Sequence, residues 1–268
     1  MPRPDVMAVG SKREKQRLDG ILVSRGLAPS REQAGRLILA GAVRVDGVRV
    51  DKRARLVDPH ASIEVITAPF PYVSRGGAKL AAALDVWNIS CHGQVGLDVG
   101  ASTGGFTDCL LQRGVARVYA VDVGYGQLAW SIRQDPRVVV LERQNIRYLP
   151  LSTIPEPVTI AVVDVSFISL TLVIPCVVKF LAPRAVLIAL VKPQFEVGVQ
   201  HVGRGGIVRD AGLREQAAQR VRHCAEALGF RPIGMMESPI CGKKGNRELL
   251  LGFLWEGGSP SQECHAPA

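Results

Sequence analysis

The stretch LDVGASTGGFTD, residues 97–108, decides the fold. An apolar run ends in the acid Asp98, glycines follow at positions 100, 104 and 105, and the pattern predicts that a helix begins near Phe106. A strand, a glycine-rich turn and a helix N-terminus in this order are how open α/β sheets hold nucleotide-like ligands. The stretch therefore predicts an α/β fold with a ligand site at this turn.

Two common nucleotide sites do not fit the turn. A P-loop needs Lys and Ser/Thr directly after its last glycine, whereas Gly105 is followed by Phe106 and Thr107. A dinucleotide site needs G-x-G-x-x-G, whereas position 102 is serine. The acid Asp98 before the glycines disfavours a phosphate and suits a positively charged ligand. S-adenosylmethionine fits, and the alternative is a turn that only packs a helix on the sheet.

The charge of the chain is unevenly distributed. Hydrophobic residues (47%) and charged residues (21%) are typical of a globular protein of 268 residues, but the net charge is +9. Residues 1–60 contain 13 Lys/Arg against 7 Asp/Glu, so this quarter of the chain carries +6. Such asymmetry indicates a basic module that binds a polyanion, with nucleic acid the first candidate and an anionic membrane the second.

The cysteines and the apolar runs bear on the compartment. Six scattered cysteines, without C-x-x-C or zinc-ligand spacing, favour a reducing compartment and no metal site. The first ten residues lack the apolar segment of a secretory signal. Apolar runs such as 185–191 are far shorter than the ~20 residues that span a bilayer. We expect a cytoplasmic protein without stable membrane association.

Residues 17–50 predict a compact basic unit. Apolar spacing predicts two short helices, the second opened by a capping box of Ser30 and Gln33. The Asp46-Gly47 pair, flanked by alternating apolar residues, predicts a β-hairpin.

These elements resemble the alpha-L RNA-binding module of the ribosomal S-four type. The resemblance covers residues 16–66, because R-L-D, S-R-x-x-A-x-x-L-I-x-x-G and V-x-V-x-G occur in order. It implies that four basic residues face RNA phosphates: Lys15, Arg17, Arg31 and Lys52. For each of them the alternative is a solvated charged surface.

Charged residues end several predicted strands after the glycine turn. Asp122, Asp164 and Lys192 each follow an apolar run that predicts a strand, as Asp98 does, and the strand before Lys192 is predicted to begin at Ala185. Ligands of open α/β sheets bind at the carboxyl ends of the strands, so we expect these side chains to converge. Lys79 is predicted in the first turn of a helix that follows S-R-G-G, an unfavourable place for a cation.

Six motifs of the catalytic part resemble the TlyA family, whose members are called hemolysins or rRNA 2′-O-methyltransferases. The resemblance extends to about residue 256, and its motifs are SRGGAKL (74–80), DVGASTGGFTD (98–108), AVDVGYGQLAW (120–130), DVSFISL (164–170), LVKPQFE (190–196) and GNRE (245–248). It implies a Rossmann-like class I methyltransferase sheet beside a small α+β RNA-binding domain, with ribosomal RNA as substrate and cytidine as the methylated nucleoside.

The family's catalytic domain is similar to FtsJ-type ribose methyltransferases, which use a Lys-Asp-Lys-Glu tetrad. Motif by motif, the tetrad falls on Lys79, Asp164, Lys192 and Glu248. The implied S-adenosylmethionine site comprises Asp98, Gly100, Ala101, Ser102, Gly104, Gly105, Phe106, Asp122 and, less strongly, Asn145.

The chemistry agrees with this resemblance and needs no metal. A ribose 2′-hydroxyl is a weak acid and needs a positioned base, for which we select Lys192. A lysine serves as a base only if its pKa falls from about 10.4, and a neighbouring Lys79 would lower it. One alternative is a membrane-active hemolysin-like protein, although no spanning segment is visible. Another is an RNA-binding protein with an inactive catalytic domain.

The sequence predicts five segments. They are a disordered basic leader (1–15), the RNA-binding domain (16–67), a linker (68–73), the methyltransferase domain (74–256) and a disordered tail (257–268).

Overall fold

The computed structural model describes residues 15–28, 30–39, 41–66, 71–242 and 245–257. The chain divides into two compact units, residues 1–69 and 70–268. Nearly all of the predicted leader and tail, and the first half of the predicted linker, lie outside the described residues.

The N-terminal unit combines two helices with two small antiparallel sheets. Its elements are β1 (Gln16–Arg17), α1 (Leu18–Ser24), α2 (Arg31–Leu39), β2 (Val43–Val45), β3 (Val48–Val50), β4 (Leu56–Val57) and β5 (Ile63–Val65). β2 lies between β3 and β5, and β1 pairs with β4. Leu18, Leu22 and Ile38 are fully buried and centre a core to which both helices and all of the strands except β1 contribute.

Local sequence signals explain this unit. Asp46 and Gly47 have φ angles of 49° and 77°, as a type I′ hairpin requires, so the predicted hairpin is confirmed. The hydroxyl of Ser30 accepts a hydrogen bond from the backbone N–H of Gln33 at 3.2 Å, which confirms the predicted helix cap.

The C-terminal unit alternates strands and helices. Its elements are α3 (Arg75–Val86), β6 (Val95–Val99), α4 (Gly105–Gln112), β7 (Arg117–Asp122), α5 (Trp130–Arg133), β8 (Val138–Glu142), β9 (Val158–Val163), α6 (Leu170–Val178), β10 (Leu181–Val191), α7 (Pro193–Glu196), α8 (Ala211–Ala227), β11 (Phe230–Glu237) and β12 (Leu249–Trp255), with short 3-10 turns at Leu151–Thr153 and Val199–His201.

The strands form one seven-stranded sheet in the order β11-β12-β10-β9-β6-β7-β8. Neighbouring strands in this sheet are parallel, except that β12 runs antiparallel to both β10 and β11. Apolar residues of α3, α4 and α5 pack on one face, and those of α6 and α8 pack on the other. Covering both faces explains why the central strands are almost continuously apolar. The predicted Rossmann-like methyltransferase sheet is confirmed.

This topology brings the predicted site residues to one edge of the sheet, namely the edge at which the parallel strands end. The parallel strands β6, β7, β9 and β10 end at that edge, and the antiparallel β12 begins there. Val191 is the register partner of Leu249. Consequently Lys192, just after β10, and Glu248, just before β12, leave neighbouring strands at the same end.

Two predictions of detail are wrong. Lys79 is the fifth residue of α3 and therefore lies in its second turn, where it is 7% exposed. β10 starts at Leu181 and not at Ala185, because the strand continues through an irregular segment in which Arg184 has a φ of 66°. No helix in the described ranges is long and apolar enough to cross a membrane.

Candidate active site

The glycine turn after β6 depends on close backbone packing. Gly100 has a φ of 87°, and a Cβ there would lie 2.5 Å from the backbone oxygen of Asp164. Gly104 has a φ of 94°, and a Cβ would lie 2.8 Å from a methyl of Leu128. Both conformations favour glycine. The turn thus brings the end of β6 against the end of β9 and starts α4 at Gly105.

Asp98 lies beneath this turn and is completely buried. Its Oδ2 accepts a hydrogen bond from the Thr107 hydroxyl at 2.6 Å, and its Oδ1 has no partner among the described residues. Burial raises the pKa of Asp98 to about 7, against the Thr107 hydrogen bond and with help from the charge of Asp164. A carboxylate at this depth can hold a ligand's cation only if the turn above it opens a path.

Asp122 organises the next strand end. Its two oxygens accept backbone N–H groups, from Ser102 at 2.8 Å and from Gly124 at 2.6 Å. The backbone N–H of Gln144 donates to the Asp122 carbonyl, which brings the segment with Asn145 alongside. The half-buried carboxylate of Asp122 therefore fixes the glycine turn at the end of β7.

Lys79 and Glu248 form a buried ion pair. The Lys79 ammonium donates to Oε2 of Glu248, and the two side chains are 9% and 4% exposed. A buried charge is costly unless it is paired, and this pair leaves neither charge unmatched. It joins α3 to the start of β12.

Lys192 and Asp164 form the second pair, which is partly exposed. The ammonium lies 2.6 Å from Oδ1 of Asp164, as an ion pair without hydrogen-bond alignment. The same ammonium donates to the Ser166 hydroxyl at 2.9 Å. The four predicted tetrad residues thus lie at one edge as two lysine–carboxylate pairs.

The comparisons with known proteins identify both units. The sequence profile of the FtsJ-like methyltransferases matches residues 72–254, and that of the S4 domain matches residues 16–63. The 16S/23S rRNA (cytidine-2′-O)-methyltransferase TlyA of Mycobacterium tuberculosis is 49% identical over 242 residues, which are 90% of this chain and 89% of the relative. The chain belongs to the TlyA family of FtsJ-like methyltransferases.

Other TlyA relatives carry a different name. Hemolysin A of Brachyspira hyodysenteriae is 41% identical over 239 residues, covering 89% of this chain and 99% of that protein. The solved structure of a protein described as a hemolysin from Streptococcus thermophilus is 42% identical, with a TM-score of 0.72 and coverage of 92% of this chain and 90% of that one.

The predicted RNA-contacting residues of the S4 domain are exposed. Lys15, Arg31 and Lys52 point to solvent. Arg17 differs because its guanidinium forms an ion pair with Asp19 at 2.6 Å. The two opposite charges therefore offset each other. The Arg17 hydrogen bonds hold the pKa of Asp19 below its ordinary value, against the effect of burial. Arg17 therefore also stabilises its own domain.

Sequence reasoning missed four residues at the candidate site. Ser166, Glu196 and Gly242 contact the predicted residues or the segments that carry them, and Asn246, two residues before Glu248, bonds the backbone of Gly206 and Val208. Three of them lie inside the quoted family motifs, but their chemistry depends on partners far away in sequence. In the described part of the chain, no group of three or more His, Cys, Asp or Glu side chains is arranged to hold a metal ion.

Proposed function

We propose that this protein transfers a methyl group from S-adenosylmethionine to the ribose 2′-hydroxyl of ribosomal RNA, at cytidine. The observation that carries the proposal is the pair of lysine–carboxylate contacts, Lys79–Glu248 and Lys192–Asp164, beside the glycine turn. The S4 domain and the rRNA-modifying relatives support RNA as the substrate.

The residues at the glycine turn suit this methyl donor. Asp122 presents a carboxylate to ribose hydroxyls, and the turn lets backbone N–H groups approach closely. The unpartnered Oδ1 of Asp98 adds a buried acceptor suited to a cationic ligand. When bound, the donor supplies an electrophilic methyl group on a sulfonium. Asn145 completes the proposed donor site from the segment that bonds to Asp122.

Lys192 is the proposed proton acceptor for the 2′-hydroxyl. A lysine accepts a proton only as a neutral amine, so Nζ must release its own proton before the transfer. The Ser166 hydroxyl suits both states, because it accepts from the ammonium and can donate to the amine. The Lys79–Glu248 pair keeps a second ammonium in place, which favours negative charge developing on the ribose oxygen.

Replacing Lys192 by arginine tests this role. Arginine keeps the positive charge but does not deprotonate in proteins. We expect Lys192→Arg to bind S-adenosylmethionine and RNA nearly normally and to lose at least ~100-fold in the single-turnover rate of methylation. The control is Lys179→Arg, because Lys179 bonds the carbonyl of Leu149 at the opposite end of β10. A near-normal rate in Lys192→Arg would remove Lys192 as the base.

The substrate is tested separately from the base. Methylation mapping on ribosomal RNA from cells with and without the gene should show one or more 2′-O-methylcytidines that depend on the protein. An unchanged methylation pattern would contradict the proposed function itself.

A further inference from the structure

Glu196 is a buried carboxylate that the proposed reaction does not use. It ends α7, four residues after Lys192, and is 5% exposed. Its Oε1 accepts the backbone N–H of Leu170 at 2.8 Å, and its Oε2 accepts the Ser169 hydroxyl at 2.6 Å. Glu196 thus fastens α7 to the first residues of α6.

The segment held by Glu196 is the one that carries the partners of Lys192. Residues 164–170 provide Asp164 and Ser166, both in contact with the Lys192 ammonium. This segment is strained, because Phe167 has a φ of 65°, which a bulky side chain rarely adopts. A strained conformation persists only when its surroundings determine it, so the segment needs an external restraint.

The other end of the connection is fixed to the body of the sheet. Arg220 on α8 donates to the backbone carbonyl of Glu196 at 2.6 Å. α8 packs against the sheet through Ala217, Val221 and Ala225, which are fully buried. Glu196 therefore connects a rigid helix to the strained segment.

We infer that Glu196 is a positioning residue, which holds the segment with Asp164 and Ser166 against Lys192. This inference rests on the proposed function for its catalytic consequence, but the placement of Lys192 can be measured without activity. Glu196 acts through these neighbours, because both of its carboxylate oxygens accept hydrogen bonds from the segment itself.

Three substitutions at Glu196 separate the effect of its side-chain length from the effect of its negative charge. Glu196→Ala removes both acceptors and should lower the single-turnover rate by ~10- to 100-fold, with little change in RNA or donor affinity. Glu196→Gln keeps an acceptor for Leu170, and its amide can donate to Ser169, so it should restore the rate to within ~3-fold of the wild type. Glu196→Asp is one methylene shorter and should behave like the alanine variant.

A double-mutant cycle shows whether the effect passes through Lys192. In the Lys192→Arg background, Glu196→Ala should add less than ~3-fold, because its target has already been lost. Multiplying losses would overturn the inference. The matched control is Glu156→Ala, since Glu156 bonds Arg117 and Tyr119 at the opposite sheet edge and should leave the rate unchanged. Thermal unfolding of each variant separates lost fold from lost position.

Chemical modification of Lys192 supplies a readout that needs no methylation. Lys192 is 13% exposed, so an amine-reactive reagent should modify it slowly, with the exposed Lys179 as internal reference. Glu196→Ala should raise the modification rate of Lys192 several-fold, as measured by mass spectrometry. An unchanged rate would overturn the positioning role. If Glu196→Ala raises the modification rate of Lys192 but the wild-type protein methylates no RNA, the positioning role is supported and the proposed function is contradicted.

Discussion

At the scale of single residues, Asp98 carries a pH-dependent cost of burial. Its pKa of about 7 in the folded state exceeds the ordinary value near 4. The folded protein therefore retains a proton that the unfolded chain releases between about pH 4 and pH 7. By linkage, the stability tied to this group is complete below pH 4 and is lost as the pH rises through 7.

Asp98→Asn should remove this pH dependence, because an amide has no such charge and can still accept from Thr107. We expect the variant to gain stability over the wild type between pH 5 and pH 8, by up to about 4 kcal/mol at the upper end. Thermal unfolding at several pH values measures the difference. Parallel curves for the two proteins would contradict the assigned pKa.

Gly242 is a second residue for which a single close contact gives a prediction. A Cβ at this position would lie 2.2 Å from Oε1 of Glu248, which is buried and paired with Lys79. We expect Gly242→Ala to displace Glu248 and to reduce the single-turnover rate by ~10-fold or more, because small misplacements are costly in catalysis. Gly20→Ala is the control, since its nearest neighbour would lie at 3.6 Å. Equal rates in both variants would show that Glu248 can move freely.

At the scale of elements, periodicity and turn chemistry predicted most of the fold. The Asp46-Gly47 hairpin and the Ser30 cap were predictable because each is decided by a few adjacent residues. β8 was not predicted, because its sequence VVVLE is an apolar run without alternation, and periodicity does not distinguish such a short run from a buried helix segment. The start of β10 was placed late, since Pro183 and Arg184 conceal a strand that continues past an irregularity.

The residues of the candidate site also differ in whether the sequence alone could predict them. Asp164 and Lys192 could be selected because charged residues after apolar strands converge in any open α/β sheet. Glu196 and Asn246 could not, because the hydrogen-bond partners of their side chains lie at least 26 and 38 positions away. Pairwise contacts of this kind are visible only in the folded chain. The arrangement of the tetrad as two separate ion pairs belongs to the same category.

The exposed basic residues of the N-terminal unit give a prediction at the scale of elements. Arg31→Ala and Lys52→Ala should each weaken ribosomal RNA binding and reduce the slope of log affinity against log salt by about one unit. Arg17→Ala is a poorer probe, because it leaves the buried Asp19 without its ion-pair partner and destabilises the domain. Filter binding over a range of salt concentrations measures the slope. An unaltered slope would indicate that these side chains are only solvated.

At the scale of the whole molecule, the proposed donor site and the predicted RNA-contacting residues lie in different units. Asp122 lies in the C-terminal unit, and we expect Asp122→Ala to lower S-adenosylmethionine affinity at least ~10-fold while RNA affinity persists. Calorimetry with the donor measures the loss. The control is Asp135→Ala, because Asp135 pairs with Arg137 at the opposite sheet edge. Unchanged donor affinity in Asp122→Ala would exclude this carboxylate from the donor site.

The antiparallel strand β12 has a consequence for biosynthesis. It is the last strand of the sheet to leave the ribosome, yet it lies between β10 and β11 and carries Glu248 at its start. Lys79 therefore has no ion-pair partner during synthesis until Glu248, 169 residues later in the chain, has been added. The N-terminal unit is complete after residue 66 and can fold first. A chain that terminated before residue 248 would keep the N-terminal unit, but its sheet would lack β12 and Lys79 would lack its ion-pair partner.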